Sequence, residues 1–313
     1  MGKLKLLFFS VFILLFASCG RVEQQKEEPA TVKKEDKPPV ADPSIDSVVD
    51  SEKHPFLLAY PDHIDSIANG TIFWKDKTIM PLSKGKETKT DLSKLSKTAY
   101  EEYLNKISPA QMLDVDYPYL APVTPPAKNH DPGRGRNTDF LKKVYGANEH
   151  EVSGRLQQVV WLRKNVNMIV SVNGANGAAA SLQKISDELD KLPSKFMKYL
   201  QNPAGTFVWR PIAGTKRLSA HSFGISIDIN VSHSNYWRYR RPDKSGLYKF
   251  ENSIPFEIVE IFERNGWIWG GRWYHYDTMH FEYRPELIIA ALQNKKGKTA
   301  IITDQKKDTL KKK

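Results

Sequence analysis

The sequence predicts an α+β fold, because helical and strand-like patterns both occur in its second half. Apolar residues at spacings of three and four predict a helix that begins at Ala178 and ends before Pro193. From Gly224 to Asn230, isoleucines alternate with polar residues, which predicts a strand that is buried on one face. Three more segments are expected to be strands: 168–172, 267–273 and 280–283.

Further helices are expected on both sides of these strands. The spacing of valine and leucine predicts a helix from Glu149 to Leu162, with Asn148 as its N-terminal cap. A helix over 92–107 is expected before it. Another helix, capped by Ser253 and ended by Gly266, is expected after it.

The composition divides the chain into five parts. Residues 20–54 are rich in Glu, Lys, Pro, Val and Asp without any period, which is typical of a disordered tether. The body that follows is long enough for one sizeable domain with an accessory N-terminal part. The predicted parts are a signal peptide 1–18, a disordered tether 19–54, an accessory region 55–150, a main domain 151–292 and a basic tail 293–313.

The N-terminus has the pattern of an exported protein. Lys3 and Lys5 precede the run Leu6–Ala17, which is apolar except for one serine. This run is too short to span a bilayer as a helix and suits the core of a secretory signal. The segment Phe16-Ala17-Ser18-Cys19 resembles the lipobox of bacterial lipoproteins, with Cys19 as the lipidated residue. The alternative is an ordinary signal peptide with an incidental cysteine.

Lipidation at Cys19 predicts that the protein is exported and anchored to the membrane of the cell envelope. Several acyl chains together give stable anchoring. In a diderm bacterium we expect the outer membrane or a periplasmic face, because Gly20 and not Asp follows the cysteine. Cys19 is also the only cysteine, so the chain can form no internal disulfide.

The chain has a formal net charge of +11, and its only dense basic cluster is at the C-terminus. Residues 294–313 contain eight Lys and two Asp. Such a tail either binds anionic lipid headgroups or wall polymers by charge, or is a solvated end. No feature of the sequence indicates an oligomeric state.

Two stretches of the chain contain the residue types of a metal site. They supply His221 and Asp228 from the first stretch and His280 from the second. Two imidazoles and one carboxylate are the ligand set of a catalytic zinc site with an open fourth position. A fully extended chain would separate His221 from Asp228 by roughly 23 Å. The chain must therefore bend between them, and Gly224 can provide the bend.

The spacing of these residues resembles a known family of zinc peptidases. The pattern Ser-x-His-x-x-Gly-x-x-x-Asp, followed by Asp-x-x-His-Phe-Glu, is similar to the M15 D,D-/L,D-peptidases. That family includes the VanX and VanY types and the L-alanyl-D-glutamate endopeptidases of phage endolysins. The resemblance covers about residues 200–286. It implies a central antiparallel sheet with flanking helices, which carries one zinc ion per chain within 151–292.

The resemblance also implies a role for each residue of the site. His221, Asp228 and His280 would be the zinc ligands. Asp277 would be the catalytic carboxylate that takes a proton from the metal-bound water.

Other residues would support these groups. Arg210 resembles the family's arginine that polarises the scissile carbonyl, and Arg217 is an alternative for this role. Ser219 and Glu282 would orient the histidines. A turn or capping role fits Ser219 equally well.

A segment rich in aromatic residues and arginine, 233–248, is placed to line a substrate cleft. The same composition fits nucleic-acid binding, but an exported protein rarely meets nucleic acid, so we expect none. Arg134 and Arg136 lie in a glycine-containing turn, where they either bind an anionic peptide or pair with carboxylates across a domain boundary. The other cleft candidates are Arg217, Tyr236, Trp237, Trp273 and His275.

The resemblance implies hydrolysis of peptide bonds in peptidoglycan stem peptides by metal-activated water. The enzyme would be a D-Ala-D-Ala carboxypeptidase, an L,D-carboxypeptidase or an L-Ala-D-Glu endopeptidase. One alternative is an inactive, metal-bearing module that binds wall peptide, against which Asp277 and Arg210 argue. A second alternative is a polyanion-binding surface protein that depends on the basic tail.

Overall fold

The computed structural model describes residues 53–85 and 90–296, which belong to one compact unit. The predicted signal peptide, Cys19 and most of the predicted tether and basic tail lie outside the described residues. The α+β class is confirmed, because both helices and antiparallel strands build the described part of the chain. Within that part, no helix combines the length and the apolar character that crossing a bilayer requires.

The described elements are short and alternate irregularly along the chain. The helices are α1 (Pro55–Ala59), α2 (Lys97–Lys106), α3 (Thr138–Tyr145), α4 (Glu149–Ser153), α5 (Ala178–Leu189), α6 (Met197–Leu200), α7 (Phe256–Arg264) and α8 (285–296). The strands are β1 (Ile64–Ala68), β2 (Thr71–Trp74), β3 (Ile79–Pro81), β4 (Leu156–Trp161), β5 (Met168–Asn173), β6 (Ser226–Asp228), β7 (Trp267–Trp269) and β8 (His280–Tyr283).

The strands form three small antiparallel sheets rather than one continuous sheet. The first has the order β1-β2-β3, and the second is the hairpin of β4 and β5. The third has the order β6-β8-β7, so the last strand in the sequence lies in the middle. This third sheet contains two of the predicted metal ligands.

The helix predicted from Glu149 to Leu162 is wrong beyond its first turns. The helix α4 does begin with Asn148 as its cap, but it ends at Ser153. The residues after Gly154 form β4, which pairs with β5 along its whole length. The β-branched residues Val159 and Val160 suit this strand, and its cross-strand partners outweigh the local helical spacing.

Two other predicted helices exist with different starting points. The helix predicted over 92–107 is divided into a 3₁₀ turn at Leu92–Lys94 and α2, which Ser96 caps by accepting from the backbone N–H of Ala99. The helix expected after Ser253 is α7, and it begins only at Phe256.

The region 55–150 shares one hydrophobic core with the main domain. Phe56 of α1 packs on Phe140 of α3, with ring centroids 4.8 Å apart. In the same core, Phe262 of α7 stacks on Phe281 of β8 at 3.8 Å. Aromatic pairs of this kind contribute about 0.5–1.5 kcal/mol each beyond the area that they bury. The N-terminal region therefore supports the sheet that carries the candidate site.

Candidate functional site

The register of β6 against β8 places two predicted ligands side by side. Asp228 lies directly opposite His280, and Ser226 lies opposite Glu282. Because side chains alternate between the two faces of a strand, these four residues share one face. The intervening pair, Ile227 and Phe281, is fully buried in the core. The alternation in the sequence therefore corresponds to a polar face, which carries the candidate ligands, and an apolar face, which packs in the core.

The third ligand arrives through a tight turn at Gly224. Residues Ala220–Phe223 form a 3₁₀ turn, which Ser219 caps by accepting from the backbone N–H of His221 at 3.3 Å. Gly224 ends this turn with φ +64°, a left-handed conformation that favours glycine. A Cβ atom there would also lie 2.9 Å from Leu156 Cδ2. The turn folds His221 back towards Asp228, as the sequence predicted.

The three residues offer ligand atoms that all lie within 4.8 Å of one another. His280 Nδ1 is 2.8 Å from Asp228 Oδ1, and His221 Nε2 is 3.2 Å from Asp228 Oδ2. Tetrahedral zinc with bonds of about 2.0–2.2 Å holds its ligand atoms roughly 3.4 Å apart. The three side chains are therefore placed to hold one ion after small adjustments.

The protonation of these groups suits a cation. Burial lowers the pKa of His280 to about 4, which keeps the imidazole neutral at pH 7. For Asp228, burial opposes ionisation, but the hydrogen bonds with His221 and His280 hold its pKa well below the usual range. A neutral imidazole and an ionised carboxylate are the forms that bind metals.

Glu282 contacts the nitrogen of His280 that faces away from Asp228. Its Oε1 lies 2.8 Å from His280 Nε2, on the side of the ring opposite Asp228. With a cation at the site, Nδ1 would present its lone pair to the ion, and Glu282, which as a carboxylate can only accept, would hold the proton on Nε2. His221 has the opposite arrangement, with Nδ1 3.3 Å from the carbonyl oxygen of Thr206.

Glu282 is itself held by two buried arginines. Arg136 donates to both of its oxygens, with Nε 2.9 Å from Oε2 and Nη2 in closer contact with Oε1. Arg284 Nη1 lies 3.5 Å from Oε2 and its Nε donates to Glu286. Tyr60 of α1 donates to Glu286 at 2.7 Å. A line of buried charges thus connects the imidazole to the N-terminal region.

Asp277 has a free oxygen in the same cavity. Its Oδ1 is buried and has no hydrogen-bond partner among the described residues. Burial, and secondly the charge of Asp228, raise the pKa of Asp277 well above its usual range, while Arg134 opposes the shift. A bound cation would also favour the ionised form. An unpartnered carboxylate that lines the same cavity as the three ligands is placed to accept a proton from a metal-bound water.

The cavity at this site measures about 130 Å³. It has room for a few waters or a small part of a bound substrate. The walls include most of the predicted site residues: Arg210, Ser219, His221, Asp228, Tyr236, Trp237, Trp273, His275, Asp277 and His280.

The two arginines proposed for the carbonyl differ in position. Arg210 lines the cavity, and its backbone is fixed by Ser222, which accepts from its N–H at 3.0 Å and donates to its C=O at 2.8 Å. Its exposed guanidinium pairs with no carboxylate in the described part of the chain. Arg217 lies outside this cavity and donates to Glu101 at 2.8 Å and to Asn105 at 2.6 Å.

A loop from the N-terminal region completes the cavity. Arg134 and Arg136 both line it. From the same loop, Asp131 accepts from the backbone N–H of His275 and lies 2.6 Å from its Nδ1. Burial would raise the pKa of Asp131, but the hydrogen bond with His275 holds it at about 2. The sequence had shown only that this turn contains two arginines, and nothing local indicated that it faces the metal ligands.

These observations together define a possible metal site with an open position. Two histidines and one carboxylate converge, a buried carboxylate contacts the outer nitrogen of one imidazole, and a further carboxylate faces the same space. This donor set fits a catalytic zinc ion, which uses three protein ligands and one water.

A comparison with protein families supports a peptidase at this part of the chain. Residues 213–283 match a family model described as D-alanyl-D-alanine carboxypeptidase. The matched segment contains all three candidate ligands and Asp277. The match supports an M15-family peptidase, and with it a peptide as substrate. M15 peptidases are zinc-dependent. No curated protein and no solved structure matches the chain.

Proposed function

We propose that this protein is a zinc-dependent peptidase that hydrolyses peptide bonds in peptidoglycan stem peptides. The observation that carries the proposal is the convergence of three ligand atoms and the unpartnered Oδ1 of Asp277 within a segment that matches the M15 family. When bound, zinc supplies a water that ionises near neutral pH and a charge that polarises a carbonyl.

The residues around the ion would each have a separate role in the reaction. Asp277 accepts a proton from the attacking water and donates it to the leaving amine. Arg210 donates to the carbonyl oxygen as negative charge develops on it. Glu282 keeps His280 in the tautomer that binds through Nδ1. Tyr236 and Trp237 form a wall of the cavity, where they exclude water from the reacting groups.

We also propose that the protein acts at the cell envelope, exported and anchored by lipid at Cys19. The support comes from the sequence alone, through the apolar run and the lipobox-like segment at residues 16–19. A wall-directed peptidase on a tether would reach its polymer while remaining attached to the membrane.

The test is digestion of purified muropeptides by the zinc-loaded protein, with products identified by mass spectrometry. We expect loss of a terminal residue or cleavage within the stem, and the mass difference identifies the bond. The matched control is Asp277→Asn, which is expected to bind zinc without cleaving. If wild-type protein binds zinc and muropeptide but releases no product, the protein is a binding module and the proposed activity is refuted.

A further inference from the structure

A second cavity adjoins the metal cavity and is larger, at about 420 Å³. The two cavities share the lining residues Ala213, Trp237 and Arg238. At about 30 Å³ per water, the second cavity has room for roughly fourteen waters, which is enough for a short stretch of peptide. A peptide with its scissile bond at the metal would therefore extend into this space.

Arg238 lies at the junction of the two cavities. Its Nη2 donates to the carbonyl oxygen of Ala213 at 3.0 Å, and its Cζ lies 5.3 Å from the centre of the Trp237 ring. These contacts fix the guanidinium while leaving several of its five N–H groups available. In the described part of the chain, its charge is paired with no carboxylate.

The other charges of the second cavity leave it positive. Glu101 is its one carboxylate among the described residues, and this group already binds Arg134 and Arg217 at 3.3 and 2.8 Å. Arg240 is neutralised by Glu251 at 2.5 Å. Lys97 is exposed and has no ion pair among the described residues.

Aromatic side chains give this positive cavity a defined wall. Trp237 is buried and packs edge-on against Tyr248, with ring centroids 5.0 Å apart. Trp237 and Tyr248 both line the second cavity, and Arg238 lies over the Trp237 ring, so the position of Arg238 is set by packing as well as by its hydrogen bond.

We propose that the second cavity is a subsite for a free carboxylate of the substrate, one or two residues from the scissile bond, and that Arg238 binds it with help from Lys97. The inference rests on the proposed function, because it concerns how the same cleft selects its peptide. An arginine fork binds a carboxylate with charge-assisted hydrogen bonds, which a carboxamide cannot fully replace.

The experiment measures binding separately from cleavage. The full chain carrying Asp277→Asn is loaded with zinc and titrated with stem-type peptides, in which one free carboxylate at a time is converted to a carboxamide. We expect one amidation to weaken binding about tenfold, in line with a hydrogen bond to a charged group. Arg238→Gln in the same background should remove this difference, whereas Arg241→Gln, an exposed neighbour outside both cavities, should preserve it.

The outcomes separate this inference from the proposed activity. A preference that is lost with Arg238→Gln supports the subsite even if wild-type protein cleaves none of the peptides. Equal binding of every amidated peptide, absence of peptide binding, or a preference that survives Arg238→Gln overturns the subsite. Cleavage of carboxylate and carboxamide peptides at equal kcat/KM would leave the peptidase assignment intact and still refute the inference.

Discussion

Replacing Arg136 with glutamine tests whether a loop outside the matched family segment maintains the metal centre. Arg136 donates hydrogen bonds to both oxygens of Glu282, and Glu282 in turn contacts Nε2 of His280. The glutamine cannot supply the charge or the paired donors. Of its two arginine partners, Glu282 would then keep only Arg284, at 3.5 Å, and its carboxylate would be held less firmly against the imidazole.

The expected magnitude has two parts. Removing one partner of a buried ion pair typically costs about 3–5 kcal/mol, and the remaining Arg284 places the cost of Arg136→Gln near 3 kcal/mol. For a domain of this size, that corresponds to a fall of about 6–12 °C in Tm. Loss of a group that orients a metal-binding histidine typically reduces metal affinity about 10–100-fold.

The assay is zinc affinity by competition with a chelator, together with thermal melts with and without zinc. Arg217→Gln is the matched control, because the Arg217 side chain is 9% exposed and that of Arg136 is 8% exposed, and both bind a glutamate. The Glu101 side chain is 28% exposed and also pairs with Arg134, whereas Glu282 is fully buried, so Arg217→Gln should cost less, on the order of 1 kcal/mol of stability. Because Arg217 does not line the metal cavity, the control should keep its zinc affinity. Unchanged affinity in Arg136→Gln, or an equal loss in both variants, would refute the reasoning.

The remaining predictions concern the metal, the chemistry and the anchor. His221→Ala and His280→Ala should each lose the single equivalent of zinc measured by metal analysis, and full retention in both variants would exclude the site. Asp277→Asn should keep zinc and Tm but lower turnover by about 10²–10⁴-fold, because a proton transfer is lost. Arg210→Ala should also keep zinc and lower turnover by roughly 10²–10³-fold, as for a lost oxyanion donor. If Asp277→Asn instead loses metal, that residue is a ligand. Cys19→Ala should release the protein from membranes on fractionation, and a mature wild-type protein without acyl mass would contradict lipidation.

The local features of the site followed from the sequence because they depend on neighbouring residues. The alternation around Ile227 identifies a strand with one polar face, and Gly224 marks the bend that brings His221 to Asp228. The pattern near His280 likewise indicates a strand. Each of these properties is set by side-chain period or by backbone freedom within a few residues.

The error after Ser153 shows the limit of local pattern. Over six residues, the apolar positions of Leu156–Trp161 are compatible with both a helical and an extended period. The segment is a strand because β5 pairs with every residue of it and supplies the hydrogen bonds that a helix would otherwise provide. The free energy of this pairing cannot be predicted from the sequence of the segment alone, because it depends on a partner strand elsewhere in the chain.

The tertiary structure alone decided which distant groups complete the site. Arg136 and Glu282 are separated by 146 residues, and Asp131 and His275 by 144. No period or spacing links such positions, because their contact arises only when the loop around Arg136 packs on β8. The sequence determined that metal ligands exist and how the chain bends between two of them. The fold determined which buried charges hold them in place, since those charges are stable only where their partners meet.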